Sequence, residues 1–244
     1  MPSPFVLHTV FETLGYLSAV LVYLAVRKRR GDAIADRDRL AVFAGALVGA
    51  ALGTRLLFLL CNPAVTLQHW TDPRYLLGGK TIVGGLLGGL IGVEIAKRLA
   101  GIRRSTGDLL VLPIIAAISI GRIGCFLTGP ADGTAGYPSS LPWAVAIGDG
   151  IPRHPVALYE IAFVLLLIPV TEHVRRRSPH AGDSFRLFLA SYLLFRLLVD
   201  FLKPIPAPLP GGLTAIQWAC LAGLAYYAAV FARRLAASDV RATA

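Results

Sequence analysis

The sequence predicts an all-α polytopic membrane protein with seven transmembrane helices. Hydrophobic residues make up 55 % of its 244 residues and charged residues only 16 %, against about 25 % charged residues in an average soluble domain. The mean hydropathy is +0.65. Apolar stretches of about 20 residues, the length that spans a bilayer, recur along the chain. A soluble fold of this size would have too few charges to cover its surface, so the composition excludes most soluble classes.

Seven apolar stretches are long enough to cross a membrane. They lie at about 6–26, 40–60, 79–99, 108–128, 155–174, 184–203 and 213–232. No intervening stretch is long enough for a soluble domain, so we expect residues 1–244 to form a single membrane domain. The first stretch has no basic residues ahead of it and is predicted to be a retained helix, not a cleaved signal peptide. No internal repeat is visible, which gives little support to an inverted-repeat transporter.

The basic residues predict the orientation of these spans. Of 24 Lys and Arg residues, 17 lie on alternate connections and the C-terminal tail, four lie on the other connections, and three lie within spans. Because cytoplasmic loops carry the excess of Lys and Arg, the N-terminus is predicted outside and the C-terminus inside. The net charge of +10 therefore indicates membrane orientation, and we predict no nucleic-acid partner. The three cysteines have no paired spacing, so no disulfide framework, metal site or cofactor is predicted.

The outward side holds the two longest irregular segments, at about 61–78 and 129–154. The second is rich in Gly, Pro and Asp and carries Tyr137 and Trp143. Long irregular segments within compact folds are typically functional or disordered. Because charged residues lie in the neighbouring spans, we predict that 129–154 is a functional extracytoplasmic loop region.

A polar stripe crosses the sixth span. Tyr192, Arg196 and Asp200 follow one another at four-residue spacing and share one helix face. A charge within a span needs a partner or a water-filled cavity. The stripe is either a structural ion pair or an anion site in which Arg196 is the cation, since Arg is suited to bidentate phosphate contact.

A second arginine, Arg122, lies near the outward end of the fourth span between Gly121 and Gly124, and Gly133 follows in the loop. Glycines beside a buried arginine allow a ligand head group to approach the backbone. The alternative is an arginine that extends its side chain to the membrane surface, which does not require flanking glycines. The pattern therefore favours a binding site.

The segment RHPVALYE at 153–160 connects the loop to the fifth span. His154 is expected at the outward interface, where either a hydrogen-bonding or a catalytic role is open. Tyr159 lies one turn into the helix, and Glu160 is expected to pair with an arginine.

Small residues in the third span predict close helix packing. Gly84, Gly88 and Gly92 recur at four-residue spacing, the pattern that lets two transmembrane helices approach closely. Glu94 follows near the inner end and is expected to pair with Lys97 or Arg98.

Together these motifs make the chain resemble the prolipoprotein diacylglyceryl transferase family. GRIGCF at 121–126 is similar to the family's G-R-x-G-N-F, and RHPVALYE at 153–160 to its H-P-x-Q-L-Y-E. GGKTIVGGLLGG at 78–89 is similar to G-G-x-S-F-H-G-G, and SYLLFRLLVDFLKP at 191–204 to a Y-x-x-x-R-F-x-x-E-x-x-R segment. Gln217 resembles a Gln early in the family's last helix. The resemblance covers nearly the whole chain.

The resemblance implies a transferase of the bacterial inner membrane. The family moves the diacylglyceryl group of phosphatidylglycerol to the lipobox cysteine in a prolipoprotein signal peptide, and glycerol phosphate leaves. It implies that Arg122 and Arg196 are catalytic phosphate-binding residues that face one outward-opening cavity. The remaining residues that it implies for substrate binding are Gly121, Gly124, Gly133, Arg153, Tyr159, Glu160 and Tyr192.

The chain departs from the family pattern at four positions. Glu12 stands where the family's first helix has an aromatic residue, and the acidic residue expected after GRIGCF falls at Pro130 or Ala131, close to Asp132. Val83 stands where the family has a histidine, and Cys125 where it has an asparagine. The residues that could replace the missing base are Glu12, Lys80, Cys125, Asp132, Asp149 and His154. We select His154 as the base, because it is the only histidine on an outward segment beside a family motif and imidazole suits proton transfer near neutral pH. The alternative is a non-catalytic or substrate-shifted paralogue that binds phospholipid head groups.

Overall fold

A computed structural model describes residues 4–146, 148–204 and 208–242, and this part of the chain is helical with no strand. Its α-helices are α1 (Pro4–Arg30), α2 (Asp36–Cys61), α3 (Pro63–Gln68), α4 (Pro73–Gly78), α5 (Ile82–Leu99), α6 (Val111–Thr128), α7 (Val156–Arg177), α8 (Asp183–Val199) and α9 (Ala215–Ala242). The all-α prediction is confirmed.

Five helical segments within the described ranges are long and apolar enough to cross a membrane. They are Val6–Arg30, Asp36–Cys61, Asp108–Thr128, Val156–Arg177 and Ala215–Arg234. They coincide with five of the predicted spans. The protein is therefore a membrane protein, whereas the count of seven spans and the orientation of the termini stay predictions.

The other two predicted spans are shorter helices than the sequence suggested. α5 begins only at Ile82, because Gly79 and Thr81 have extended backbone conformations. α8 has 17 residues, and a 3₁₀ turn at Asp200–Leu202 follows it. At 1.5 Å per residue, helices of 17 and 18 residues are about 26 and 27 Å long, slightly less than the roughly 30 Å hydrocarbon core.

The segment at 61–78, predicted to be irregular, contains two short helices. α3 and α4 both begin with a proline, whose missing N–H costs nothing in the first turn. The side chains of Asn62 and Asp72 accept hydrogen bonds from backbone N–H groups of the first turn of each helix. Such N-caps satisfy donors that a helix leaves unpaired.

The chain divides into two compact units. The first comprises Met1–Ala35, Arg104–Phe188 and Phe201–Pro204, and the second Asp36–Arg103, Leu189–Asp200 and Ile205–Ala244. In the first unit α6 packs against α1 and α7. In the second unit the main pair is α2 and α5, and α9 contacts both.

The α2–α5 pair is held by a seam of glycines, as the spacing in the third span predicts. Gly45, Gly49 and Gly53 of α2 face Gly92, Gly88 and Gly84 of α5, backbone against backbone. A Cβ atom on any of them would overlap the opposite helix. At the end of α5, Glu94 pairs with Lys97 at 2.9 Å, which confirms one of its two predicted partners.

Candidate functional site

Arg122 and Glu160 form a buried ion pair inside the first unit. Arg122 lies on α6 and Glu160 on α7, and Arg122 Nε is 3.0 Å from Glu160 Oε2. Their side chains expose 8 % and 0 % of their surfaces. The prediction that Glu160 pairs with an arginine is therefore confirmed. Since a buried charge needs a counter-charge, the Glu160 carboxylate balances the charge of the guanidinium inside the protein.

The surroundings of Arg122 differ on its two sides. On one side a Cβ atom at Gly121 would meet no heavy atom within 4 Å, so the backbone there is open as predicted. On the other side Gly124 packs against the Phe11 side chain of α1. Phe11 covers the face of Gly124, so the open backbone expected at Gly124 is absent. Arg122 Nη1 also donates a hydrogen bond to Cys125 Sγ at 3.5 Å, which places the Cys125 thiol beside the guanidinium.

The loop after α6 begins with a tight turn. A 3₁₀ helix at Gly129–Asp132 ends at Gly133, whose φ of +68° favours glycine. The Gly133 N–H donates to the Pro130 carbonyl at 3.0 Å. This supplies a backbone reason for Gly133, and its role in substrate binding stays a prediction. The side chain of Asp132, a candidate base, lies outside the described residues.

Backbone hydrogen bonds hold the segment that contains Arg153 and His154 in place. Val145 and Arg153 exchange two N–H···O=C hydrogen bonds of 3.1 Å each. The His154 N–H donates to the Tyr137 carbonyl at 3.1 Å, and Gly136 packs directly against His154. The position of His154 is thus fixed by the predicted loop region itself.

His154 lines a cavity together with residues of both ends of the loop. Cys125, Gly129, Arg153 and Pro155 also line it. His154 Nδ1 lies 3.3 Å from the Tyr159 hydroxyl, and Trp143 Nε1 donates to the same hydroxyl at 2.7 Å. The sequence drew attention to Trp143 only as an interfacial aromatic residue.

Arg153 is held by Asp149. Its guanidinium donates to Asp149 Oδ2 from Nη2 at 2.8 Å and from Nε at 3.1 Å. The Ile151 N–H donates to Asp149 Oδ1 at 3.0 Å. These hydrogen bonds, first that from Ile151 and then those from Arg153, hold the pKa of the Asp149 carboxyl below its ordinary value. Asp149 is therefore ionised at neutral pH and engaged by a cation, which makes it a poor proton acceptor.

The predicted polar stripe of α8 lies in the second unit and is buried. Arg196 Nη2 is 3.1 Å from Asp200 Oδ1, and their side chains expose 4 % and 5 % of their surfaces. The predicted i, i+4 ion pair is thus confirmed. Tyr192 is completely buried on the same helix. Arg122 and Arg196 belong to different compact units, and the cavity that they were expected to share stays a prediction.

A reciprocal helix cap extends this ion pair to α9. The Thr214 hydroxyl donates to Asp200 Oδ2 at 2.8 Å and accepts from the Gln217 N–H at 3.0 Å. The Gln217 side chain accepts from the Thr214 N–H at 2.9 Å and donates to the Leu197 carbonyl at 3.2 Å. T-x-x-Q ahead of an apolar run is a capping-box pattern. The sequence therefore contains a signal for Thr214, although none of the motifs singled out above includes this residue.

Comparison with known proteins decides the family. The family model described as prolipoprotein diacylglyceryl transferase matches residues 4–233. The chain belongs to this family. Among curated relatives, the phosphatidylglycerol–prolipoprotein diacylglyceryl transferase of Methylococcus capsulatus is 36 % identical over 210 residues, covering 79 % of this chain and 76 % of the relative. The enzymes of the same name from Geobacter sulfurreducens and Bordetella avium are 33 % and 30 % identical, over 80 % and 84 % of this chain and 76 % and 82 % of the relatives. The protein is therefore a membrane transferase of lipoprotein biosynthesis.

Val83 is of interest because the family pattern has a histidine at its position. It lies in the first turn of α5 and exposes only 1 % of its surface. The segment before it is tied to α2, since Arg55 donates to the Gly79 carbonyl at 2.6 Å and Thr54 exchanges hydrogen bonds with the Thr81 backbone. Glu12, another candidate base, accepts a hydrogen bond from Tyr16 at 2.7 Å. Lys80 is exposed.

Proposed function

We propose that this protein transfers the diacylglyceryl group of phosphatidylglycerol to the lipobox cysteine of prolipoproteins at the outer face of the bacterial inner membrane. The proposal rests on the burial and pairing of the two arginines that match the family pattern. Arg122 and Arg196 are both kept, both buried, and each is paired with a carboxylate. A guanidinium held by a carboxylate has a fixed orientation, so it needs no reorganisation as negative charge develops on a phosphate oxygen.

The chemistry sets three requirements for the site. The cysteine sulfur attacks the glycerol carbon of the diacylglyceryl group, and the bond from this carbon to the phosphate oxygen breaks. Glycerol phosphate leaves with the bonding electrons, and the thiol proton passes to a base. Cations for the leaving phosphate, a path for the proton and a lateral opening to lipid are therefore needed.

The arginines meet the first requirement. Negative charge grows on the phosphate oxygen as the carbon–oxygen bond breaks, and a fixed guanidinium stabilises it more in the transition state than in the bound lipid. Loss of one such donor typically lowers turnover by about 10²–10³-fold. Arg153 is proposed to contact the head group from the loop, Tyr159 lies beside the same site in the first turn of α7, and Glu160 and Tyr192 line or support the arginines. The open backbone at Gly121 leaves space beside Arg122.

We further propose seven spans with the N-terminus outside, which puts the loop at 129–154 on the outer side. The distribution of 17 basic residues against four over alternate connections supports this orientation. Fusions of the C-terminus to alkaline phosphatase and to a fluorescent reporter test it. Fluorescence without phosphatase activity is expected, and the reverse pattern contradicts the proposal.

Purified protein in vesicles of phosphatidylglycerol, supplied with a synthetic lipobox peptide, tests the activity. Mass spectrometry of the peptide reports the thioether product, and native mass spectrometry reports bound lipid. We expect product from the natural chain and a loss of about 10²–10³-fold in Arg196→Lys, which keeps the charge but not the planar fork. Arg98→Gln is the matched control, since Arg98 is exposed at the end of α5.

The second candidate function is phospholipid binding without transfer, and the valine at position 83 favours it. This alternative predicts that phosphatidylglycerol binds and depends on Arg196, whereas no thioether forms at any peptide concentration. The same experiment therefore separates the two functions.

A further inference from the structure

Trp143 of the loop region, Tyr159 of α7 and His154 form a hydrogen-bond chain that ends at His154. Trp143 Nε1 donates to the Tyr159 hydroxyl at 2.7 Å, and the same hydroxyl lies 3.3 Å from His154 Nδ1. The Tyr159 ring meets the imidazole edge-on, with ring centroids 6.2 Å apart. The motifs do not predict the contact between Trp143 and Tyr159, because only the path of the loop brings residue 143 to α7.

The donor and acceptor properties of these groups favour one direction of the chain. An indole N–H can only donate, so the Tyr159 oxygen is the acceptor toward Trp143. The hydroxyl retains its own hydrogen and can donate it to His154 Nδ1, which lies within hydrogen-bond distance. If Nδ1 instead carried a hydrogen, the indole and the imidazole would both donate to one phenol oxygen, and the phenol hydrogen would have to turn away from both rings.

A neutral imidazole has one protonated and one bare nitrogen. When Nδ1 accepts from Tyr159, Nε2 carries the hydrogen. Neither nitrogen is then available as a base, because Nδ1 is engaged and Nε2 is protonated. The hydrogen-bond chain therefore argues against the base that the sequence predicted at this position.

We propose that Trp143 and Tyr159 are positioning residues that hold neutral His154 in the Nε2–H tautomer, so that His154 donates a hydrogen bond to a phosphate oxygen of the bound phospholipid. The identity of this ligand rests on the proposed function. His154 lines its cavity beside Arg153, and Nε2 is the ring nitrogen that Tyr159 does not contact. A donor aimed at the phosphate stabilises the charge that grows as glycerol phosphate leaves.

The backbone around His154 supports this role. Hydrogen bonds from the His154 N–H to the Tyr137 carbonyl and between Val145 and Arg153 fix the residue on both sides. Gly136 packs so closely against His154 that a Cβ atom there would lie 2.7 Å from the His154 carbonyl oxygen. A backbone held in this way restricts the imidazole to rotations of its own side chain, which the contact with the Tyr159 hydroxyl opposes.

Nitrogen NMR of protein labelled with ¹⁵N-histidine measures the tautomer directly. The chain has five histidines, and loss of signals in His154→Gln assigns those of His154. In nanodiscs at a pH where the ring is neutral, we expect the Nε2–H pattern. Tyr159→Phe should raise the ratio of the Nδ1–H to the Nε2–H form by about 2- to 10-fold, the effect of losing one hydrogen bond. Trp143→Phe should shift it in the same direction, whereas Trp70→Phe, a change at an exposed indole, should leave it unchanged.

The ligand is tested in the same samples. The Nε2–H signal should shift when phosphatidylglycerol replaces phosphatidylcholine in the nanodisc, and no shift would overturn the assignment of a phosphate contact. An Nδ1–H pattern in the natural chain would overturn the tautomer and restore the base role.

Turnover distinguishes a donor from a base. The Gln side chain in His154→Gln can donate an N–H but is not a base, so this variant should keep turnover within about 10-fold of the natural chain while His154→Ala loses about 10- to 100-fold. Equal losses in both variants would overturn the donor role. If the natural chain forms no product while the tautomer is as expected, the proposed function fails and the tautomer assignment stands.

Discussion

Arg122 Nε lies 3.0 Å from Glu160 Oε2, and the two side chains are almost completely buried between α6 and α7. Within a membrane protein such a pair has two consequences. It connects two helices of the first unit, and it fixes the orientation of the guanidinium that we assign to the phosphate. Stability and activity are therefore coupled at Glu160.

We expect Glu160→Ala to lower the free energy of unfolding by about 3–5 kcal/mol, because it leaves Arg122 as a buried charge without its counter-charge. Unfolding in mixed detergent micelles, followed by circular dichroism, measures this change. The matched control is Glu94→Ala, which removes a partly exposed carboxylate paired with Lys97 and should cost about 1 kcal/mol or less. Equal losses in the two variants would show that the Arg122–Glu160 pair carries no special burial cost.

Thr214 offers a test of how Arg196 is positioned. Thr214→Val removes the hydroxyl that donates to Asp200 and accepts from the Gln217 N–H. Loss of an N-cap costs about 1 kcal/mol, and a similar loss in the transition state lowers turnover by roughly 5-fold. We expect lower turnover in the vesicle assay, with recovery in Thr214→Ser.

Asn62→Ala is the control for Thr214. It removes another side-chain cap of the second unit, the bond that Asn62 accepts from the Val65 N–H at the start of α3. It should lose comparable cap energy and keep full turnover. If both cap variants lose turnover equally, the effect of Thr214 is a general loss of stability and Arg196 is not involved.

The sequence predicted the contacts that follow from helical periodicity. The pair of Arg196 with Asp200 and the pair of Glu94 with Lys97 depend only on spacing along one helix. The glycines of α5 were identified for the same reason. Glu160 was expected to pair with an arginine on burial alone, and the structure supplies the partner from another helix.

Contacts that depend on the path of a loop were beyond the sequence. Nothing in the spacing of Trp143 and Tyr159 indicates that they meet, because Tyr159 lies 16 positions further along the chain, beyond the end of the irregular loop. Phe11 covers Gly124 from another helix, so the open backbone predicted there was wrong. The starts of α3 and α4, by contrast, have proline and N-cap signals that can be recognised from the local sequence.

The glycine seam predicts a sharp difference between neighbouring positions of α5. A Cβ atom at Gly88 would overlap the Gly49 carbonyl of α2, whereas one at Gly89 would meet Ala46 and Ala50 at ordinary distances of 3.6 Å. We expect Gly88→Ala to destabilise the protein by about 1–3 kcal/mol, since the helices must separate. Gly89→Ala should be neutral or stabilising by up to about 1 kcal/mol, because alanine favours the helix. Unfolding of both variants in mixed micelles measures the two stabilities. Equal values would contradict the close backbone contact between α2 and α5.

Val83→His places the family's residue in a site that is built for valine. Val83 exposes 1 % of its surface, and hydrogen bonds from Arg55 and Thr54 to the preceding segment prevent that segment from shifting. The added ring overfills the site and buries nitrogens that need partners, at a cost of about 1–3 kcal/mol for each unsatisfied group. We expect lower stability and no gain in thioether formation, because a base acts only within hydrogen-bond reach of the thiol. Val83→Leu is the control. It adds volume without polar atoms, so it measures the cost of overfilling the site without the cost of buried nitrogens. A gain in turnover of about 10²-fold or more in Val83→His would mean that the site lacks only its base, and it would favour phospholipid binding without transfer as the function of the natural chain.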